Sequence, residues 1–248
     1  MRFEYLPPKS LNLLSRLINL IPHSLNLTAE TYLCPMIQVQ TFTFNPFSEN
    51  TYVLYDETKE AVIIDPGCHS YEERKELKDF IDNQQLTVVH LFNTHAHIDH
   101  VLGNEYVKRT FGVKLHLHPK DLPILQNAAS RAEFYGFPNY EGSEVDVFIE
   151  EGDIIKFGNS ELEVLFVPGH APGHVAFINR EENICVSGDV LFKGSVGRTD
   201  FPMCSFPDLE NSIRTKLYTL ADEMVVFSGH GGITTIGSEK KHNPFVKA

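Results

Sequence analysis

The chain has 248 residues, 42% hydrophobic and 22% charged, with 21 basic against 33 acidic side chains for a formal charge of −12. That is the composition of an ordinary soluble globular chain, and it lacks the broad basic footprint that phosphate backbones require, which excludes nucleic acid as a partner. Four scattered cysteines, Cys34, Cys68, Cys185 and Cys204, include no C-x-x-C pair, so neither a disulfide framework nor a zinc ribbon is indicated and a cytoplasmic location is expected. No run of ~20 apolar residues could cross a membrane.

Residues 1–35 stand apart. Pro7-Pro8, Pro22 and Pro35 punctuate them, and Leu11, Leu14, Leu17, Ile18 and Ile21 recur at helical spacing between Asn12, Ser15, Arg16 and Asn19. The expectation is an N-terminal extension, either poorly ordered or not translated if Met36 is the true start, followed by one domain over 36–248. From Met36 the apolar pattern predicts short strands at Ile37-Phe44, Thr51-Tyr55 and Ala61-Ile64, the last two joined by the polar turn Asp56-Glu57-Thr58-Lys59.

Asp65-Pro66-Gly67 stops this meander, and a surface helix is predicted from Tyr71 to about Ile81. Thr87-Phe92 reads as a buried strand, Val101 to Phe111 as a helix, Val113-Leu117 as a strand and Pro119-Gln126 as a short helix. Alternation of this kind is an α/β signal. Residues 128–150, with Phe134, Tyr135, Gly136, Phe137, Pro138 and Tyr140, read as a long functional loop. Strands follow at Ile154-Phe157, Leu162-Phe166, His174-Asn179 and Ile184-Val186, then a helix from Asp208 to Leu220 with Asp208 as cap, and a last strand at Met224-Phe227.

The run Thr94-His95-Ala96-His97-Ile98-Asp99-His100 leaves the carboxyl end of a predicted strand, where a loop can deliver several ligands at once. One tetrahedral ion cannot use all four of its candidate ligands together with later ones. Those later ones occupy equivalent places: His170 in Pro168-Gly169-His170, Asp189 in Ser187-Gly188-Asp189, and His230 in Ser228-Gly229-His230. Seven imidazole and carboxylate ligands suit two divalent ions with a bridging carboxylate.

These motifs resemble the metallo-β-lactamase superfamily, from about Met36 to the C-terminus. The resemblance implies an α/β fold, a four-layer αβ/βα sandwich of two facing mixed sheets with outer helices. It also implies that His95, His97 and His170 hold one metal, Asp99, His100 and His230 the second, and that Asp189 bridges. An acid at 189 and a histidine at 100 are similar to the glyoxalase II (hydroxyacylglutathione hydrolase) group rather than to zinc β-lactamases with a cysteine ligand, and His97 departs from flavodiiron proteins, which carry glutamate there. Asp189-Val190-Leu191-Phe192, Gly197-Arg198-Thr199-Asp200, Thr234-Thr235-Ile236-Gly237, Glu239 and Asn243-Pro244-Phe245 resemble the short members of that group. Full-length glyoxalase II adds a C-terminal helical domain that binds glutathione, whereas 18 residues follow His230 here.

The implied activity is hydrolysis of a small-molecule thioester by a hydroxide bridging two divalent ions, zinc foremost and iron or manganese as alternatives. Two such ions lower the pKa of a shared water from about 15.7 toward ~7, so no protein nucleophile is needed. Asp99 and Asp189 would then orient and bridge. Gly197-Arg198-Thr199-Asp200 also resembles a motif of persulfide dioxygenases, in which His95, His170 and Asp189 would bind a single iron. Another hydrolase of this fold, or a non-catalytic effector-binding protein, is the further alternative; the latter predicts lost ligands, and all seven are present.

Around this set, Lys193 and Arg198 are candidates to meet an anionic substrate group, with a buried Arg198-Asp200 pair an equal reading. Asp65 either accepts a hydrogen bond from a metal-binding histidine or simply forms the turn before Pro66. His174 reads as an orienting or core group, and His116 and His118 as packing residues. The aromatics of 134–140 either line a substrate groove or cover the core. Oligomeric state is not legible in the sequence.

Overall fold

The computed structural model describes residues 37–248, and the expected 1–35 extension lies outside the described residues. Strands β1 (Gln38–Phe44), β2 (Glu49–Tyr55) and β3 (Glu60–Ile64) form the predicted antiparallel meander. The chain then turns at Asp65, whose φ of 51° is a left-handed conformation that aspartate tolerates better than most residues. Helix α1 (Tyr71–Gln84) starts from a capping box in which Ser70 and Glu73 each bond the other's backbone N–H.

Strands β4 (Thr87–Phe92), β5 (Leu115–Leu117) and β6 (Val147–Phe148) add in parallel, completing a mixed sheet in the order β1-β2-β3-β4-β5-β6. The helix expected over Val101–Phe111 is two helices, α2 (Ile98–Val101) and α3 (Asn104–Phe111). The break has a packing cause: the Gly103 N–H donates to the Pro66 carbonyl at 2.7 Å, and a Cβ at 103 would meet Cys68 Sγ at 2.5 Å. Helix α4 (Leu122–Gln126) comes next, after a single tight turn over Pro119–Asp121.

The stretch expected to be a long loop opens instead with α5 (Ala128–Tyr135). Its buried face is Ala128 and Ala132, which carry too little apolar weight to announce a helix, while Phe134 points to solvent. The long functional loop expected over 128–150 is therefore corrected at its start to a short helix packed against the core.

Strands β7 (Ile154–Phe157), β8 (Ser160–Phe166), β9 (Val175–Asn179) and β10 (Ile184–Gly188) build the second sheet as antiparallel neighbours. A hairpin of β11 (Leu191–Phe192) and β12 (Ser195–Val196) follows, then α6 (Phe206–Thr215), β13 (Val225–Ser228) parallel to β10, β14 (Thr234–Thr235) and α7 (Ile236–His242). The cap of α6 is Ser205 and not Asp208: Asp208 donates its own N–H to Ser205 Oγ at 3.3 Å. The helix also ends at Thr215, five residues short of the expected boundary.

The two sheets face one another across Tyr52, Leu54 and Phe92 on one side and Phe157, Val164 and Phe177 on the other. Leu77, Ile81 and Val107 cover the outside of the first sheet, and Leu209 and Ile213 that of the second. The result is the four-layer αβ/βα sandwich, because each sheet buries apolar residues on both faces. The carboxyl ends of β4, β10 and β13 all open on the same edge, where Gly188 pairs with Ser228 and the Asn50 N–H donates to the Gly229 carbonyl at 2.7 Å.

Candidate metal centre

The loop after β4 carries His95, His97, Asp99 and His100, the last two on α2. Asp65 organises this loop: Oδ1 accepts from the Thr94 N–H at 2.7 Å, and Oδ2 accepts from Thr94 Oγ1 at 2.6 Å and faces His100 Nδ1 at 3.2 Å. Thr94 Oγ1, having donated to Asp65, is left to accept from His95 Nδ1 at 3.0 Å. Each contact turns the other ring nitrogen, Nε2, toward the cleft.

The loop after β8 carries His170, whose Nδ1 faces the Arg198 carbonyl at 2.8 Å. His230, after β13, points Nδ1 at the Phe47 and Ser48 carbonyls at 3.1 and 3.2 Å. Asp189 follows β10, and its backbone N–H donates to His174 Nε2 at 3.0 Å. Gly229 lets Asp189 in: a Cβ at 229 would meet Asp189 Oδ1 at 2.1 Å.

All seven expected ligands converge. His95, His97 and His170 form one group, and Asp99, His100 and His230 another, with ligand atoms inside 4.8 Å of each other in each. Asp189 lies between, Oδ2 at 3.5 Å from His170 Nε2 and Oδ1 at 3.5 Å from His100 Nε2. Asp65 also falls beside His95 and His100, but its oxygens are taken by Thr94 and His100, which makes it an orienting carboxylate and joins both sequence readings: it forms the turn and holds the histidine.

The donor set fits divalent ions. His95 Nε2, His100 Nε2 and Asp189 Oδ1 are buried without any hydrogen-bond partner, an arrangement that costs free energy unless something else satisfies them. His97 Nδ1 and His170 Nε2 face one another at 2.8 Å. Burial holds His95 well below the ordinary histidine pKa, and burial with His170 brings His97 to about 3, so both rings are neutral and able to coordinate. On the other side, burial opposes the charge on His100, but Asp189 and Asp99 outweigh it and raise its pKa well above the ordinary value. Burial likewise disfavours the ionised Asp189, yet His100 holds its carboxyl below the usual range. Protons gather where the carboxylates demand positive charge.

The remaining expectations sort cleanly. His174 is a buried group supporting Asp189 and stacked on His95, with ring centroids 4.6 Å apart. His116 packs against His90 and Phe92, and His118 stacks on Phe166, so neither converges on a ligand site. Arg198 pairs bidentately with Asp200, at 2.6 Å for both bonds, but the pair is exposed and not buried. Lys193 sits at the turn of the β11–β12 hairpin, facing solvent. Among the aromatics of 134–140, Tyr135 and Phe137 pack against Phe47 beside the cleft, and Phe134 is exposed.

Three supporting residues are given no role by the sequence. Asp121 ties the first ligand loop to the second, accepting from the Ala96 N–H at 2.7 Å and the Gly173 N–H at 2.5 Å. Glu49 is fully buried 3.8 Å from His100 Nδ1, and its strand residue bridges His230. Glu239 accepts from the Gly194 N–H and Asn243 Nδ2, fixing the β11–β12 hairpin to α7. Glu49 and Asp121 carry no local signal, and Glu239 stands only among the residues of the family resemblance.

A profile described as the metallo-beta-lactamase superfamily matches residues 44–230. The chain belongs to the metallo-β-lactamase superfamily. It is 38% identical over 214 residues to the hydroxyacylglutathione hydrolase GloC of Haemophilus influenzae, covering 86% of this chain and 99% of that relative. Among solved structures, the BLEG-1 B3 metallo-β-lactamase matches with a TM-score of 0.78 and 35% identity, over 85% of this chain and all of that one. TTHA1623 in a di-iron-bound form matches with a TM-score of 0.75 and 36% identity, over 84% of this chain and all of that one. The fold is thus that of a divalent-metal-binding hydrolase family, and among the described residues no helix is long and apolar enough to cross a membrane.

Proposed function

We propose that residues 36–248 form a thioesterase of the hydroxyacylglutathione hydrolase type, cytoplasmic and acting on a small-molecule thioester through two divalent ions, zinc foremost. The observation that carries this reading is the pair of ligand groups joined by Asp189, together with similarity to a relative of that name at 38% identity. His95, His97 and His170 would hold one ion and Asp99, His100 and His230 the other. When bound, the ions supply an activated water and polarise the thioester carbonyl.

The chain's own residues do the positioning. Asp189 offers one carboxylate oxygen to each side. Asp99 Oδ2, 3.1 Å from His230 Nε2, borders the cleft and would orient the attacking water without itself attacking the substrate. Asp65, the Arg198 carbonyl and the Phe47 carbonyl each fix the tautomer of one histidine, leaving the opposite nitrogen free to coordinate. In the balanced reaction, water adds to the carbonyl carbon, the C–S bond breaks, and the products are a carboxylic acid and a thiol.

A mononuclear iron dioxygenase is the weaker reading, because it leaves Asp99, His100 and His230 converging on nothing. Two measurements test the proposal. Elemental analysis of protein purified without added metal should give two ions per chain; a single iron overturns the two-metal reading. Metal-replete protein should release thiol from S-lactoylglutathione or a related thioester, and absence of turnover on every thioester tried, with hydrolysis of nitrocefin instead, replaces thioester by β-lactam.

A further inference from the structure

Gly229, Gly231 and Gly232 flank His230, and a backbone so free of side chains needs an outside frame to hold one ring in place. The turn between β1 and β2 supplies that frame. Asn50, almost wholly buried, spends both hydrogens of its side-chain amide on the carbonyls of Ser228 and Gly231, at 3.1 and 2.9 Å. Its backbone N–H goes to the carbonyl between them, that of Gly229, at 2.7 Å. Asn50 Oδ1 accepts from Thr43 Oγ1 at 3.0 Å, so every polar group of this side chain is engaged and its orientation is fixed. Phe47 and Ser48, in the same turn, offer the carbonyls that His230 Nδ1 faces.

The start of the turn reaches Asp99. Asn45 Nδ2 donates to the Asp99 carbonyl at 3.0 Å and to the Gly67 carbonyl at 3.1 Å. In a longer helix the Gly103 N–H would take the Asp99 carbonyl, four residues back, but it donates to Pro66 instead, and α2 leaves that carbonyl to Asn45. Asn45 is itself locked. Its N–H donates to Glu73 Oε1 at 2.6 Å, its Oδ1 accepts from the Phe47 N–H at 3.0 Å, and its φ of 51° is one that asparagine adopts readily. Gly67 makes the room, since a Cβ there would meet Asn45 Nδ2 at 2.6 Å and the Asp99 carbonyl oxygen at 2.7 Å. Among the described residues neither asparagine bonds to His95, His97 or His170. That set has ties of its own, through Thr94, Asp121 and the Arg198 carbonyl.

Resting on the two-ion reading above, we propose that Asn45 and Asn50 are positioning residues for the second ion alone. The β1–β2 turn clamps the backbones of Asp99 and His230, and so sets how tightly Asp99, His100 and His230 bind, independently of the first set. Neither asparagine touches substrate or reacting atoms. Without the clamp the chain keeps one ion, at His95, His97 and His170, and gives up the other.

The test dialyses the zinc-replete full chain against graded concentrations of a chelator and counts ions per chain by elemental analysis. The wild type should carry two. Asn45→Gly, which suits the left-handed φ and removes only the side chain, and Asn50→Ala should each release one ion at about 10–100-fold lower chelator concentration. The other ion should leave as it does from the wild type. A mutant cycle assigns the ion that stays. With His230→Ala, where the second set is already broken, Asn45→Gly should change nothing further; with His170→Ala it should cost the full factor. A further fall beside His230→Ala, or equal weakening of both ions in the single variants, makes the turn a general support of the fold and overturns the proposal. Unaltered retention of both ions overturns it too. Asn50 is deeply buried, and should its alanine variant be insoluble, Asn45 on the partly exposed turn decides the matter. A wild type that holds a single ion removes the two-ion reading itself and this inference with it.

Discussion

Asp65 stands directly behind His100, its Oδ2 3.2 Å from Nδ1 of the imidazole, while its Oδ1 accepts the Thr94 N–H at 2.7 Å. One buried carboxylate therefore sets both the tautomer of a candidate ligand and the course of the loop that bears three others. Asp65→Asn keeps the shape and removes the charge. Outer carboxylates of this kind are worth about 10–100-fold in metal affinity, and competition with a chromogenic chelator should show a loss of that size. An unchanged dissociation constant would mean that Asp65 only shapes the turn.

Asp121 joins two ligand loops from a fully buried position, and burial lifts its pKa from 3.8 to about 6. The folded state holds this proton more tightly than the unfolded chain. Its contribution is therefore most favourable below about pH 4 and is lost as pH rises to about 6, a change on the order of 3 kcal/mol for a two-unit shift. Asp121→Asn is neutral throughout and should flatten that part of the stability curve. Urea midpoints of the metal-free chain at pH 4.5 and 7 measure it; parallel behaviour of the two proteins would show that Asp121 titrates normally.

Gly229→Ala leaves all seven ligands in the sequence yet places a methyl group 2.1 Å from Asp189 Oδ1 and 2.8 Å from His100 Cε1. Asp189 must move. A displacement near 1 Å at a reacting centre costs about a hundredfold in rate, so the variant should fold, lose metal stoichiometry and fall in turnover by about that factor. Wild-type metal content and rate in Gly229→Ala would show that the cluster tolerates the shift.

Phe177 is fully buried between the sheets, 5.2 Å from Phe92 by ring centroids. Truncation to alanine removes the contact and opens a cavity on the sandwich midline, at a cost of about 3–5 kcal/mol. Denaturant titration of Phe177→Ala against the wild type should show that loss. A change below about 1 kcal/mol would mean that the sheets close over the gap, which tight interior packing resists.

The candidate ligands could be picked out because their chemistry is local: His95, His97, Asp99 and His100 lie within one loop, and His170, Asp189 and His230 each follow a strand signalled by its apolar run. Strands of the meander were equally plain, since alternation of period two repeats over several residues. Helix α5 was not, because two alanines form its buried face and its aromatics point outward. Helix α7 is seven residues long with Gly237 near its start, too short and too weakly patterned to register.

From its sequence alone this chain declares its strand pattern, its candidate ligand types and the loops that bear them, because hydrophobic period and residue chemistry are read a few positions at a time. Only the tertiary structure decided that Asp65 serves His100, that Asp121 links loops 96 and 173, and that Glu239 pins the hairpin of Lys193. It also decided that Tyr135 meets Phe47 beside the cleft. Those are pairings of polar and aromatic groups brought together by the closing of two sheets, and nothing in local spacing encodes which distant partner a buried carboxylate or an exposed ring will find.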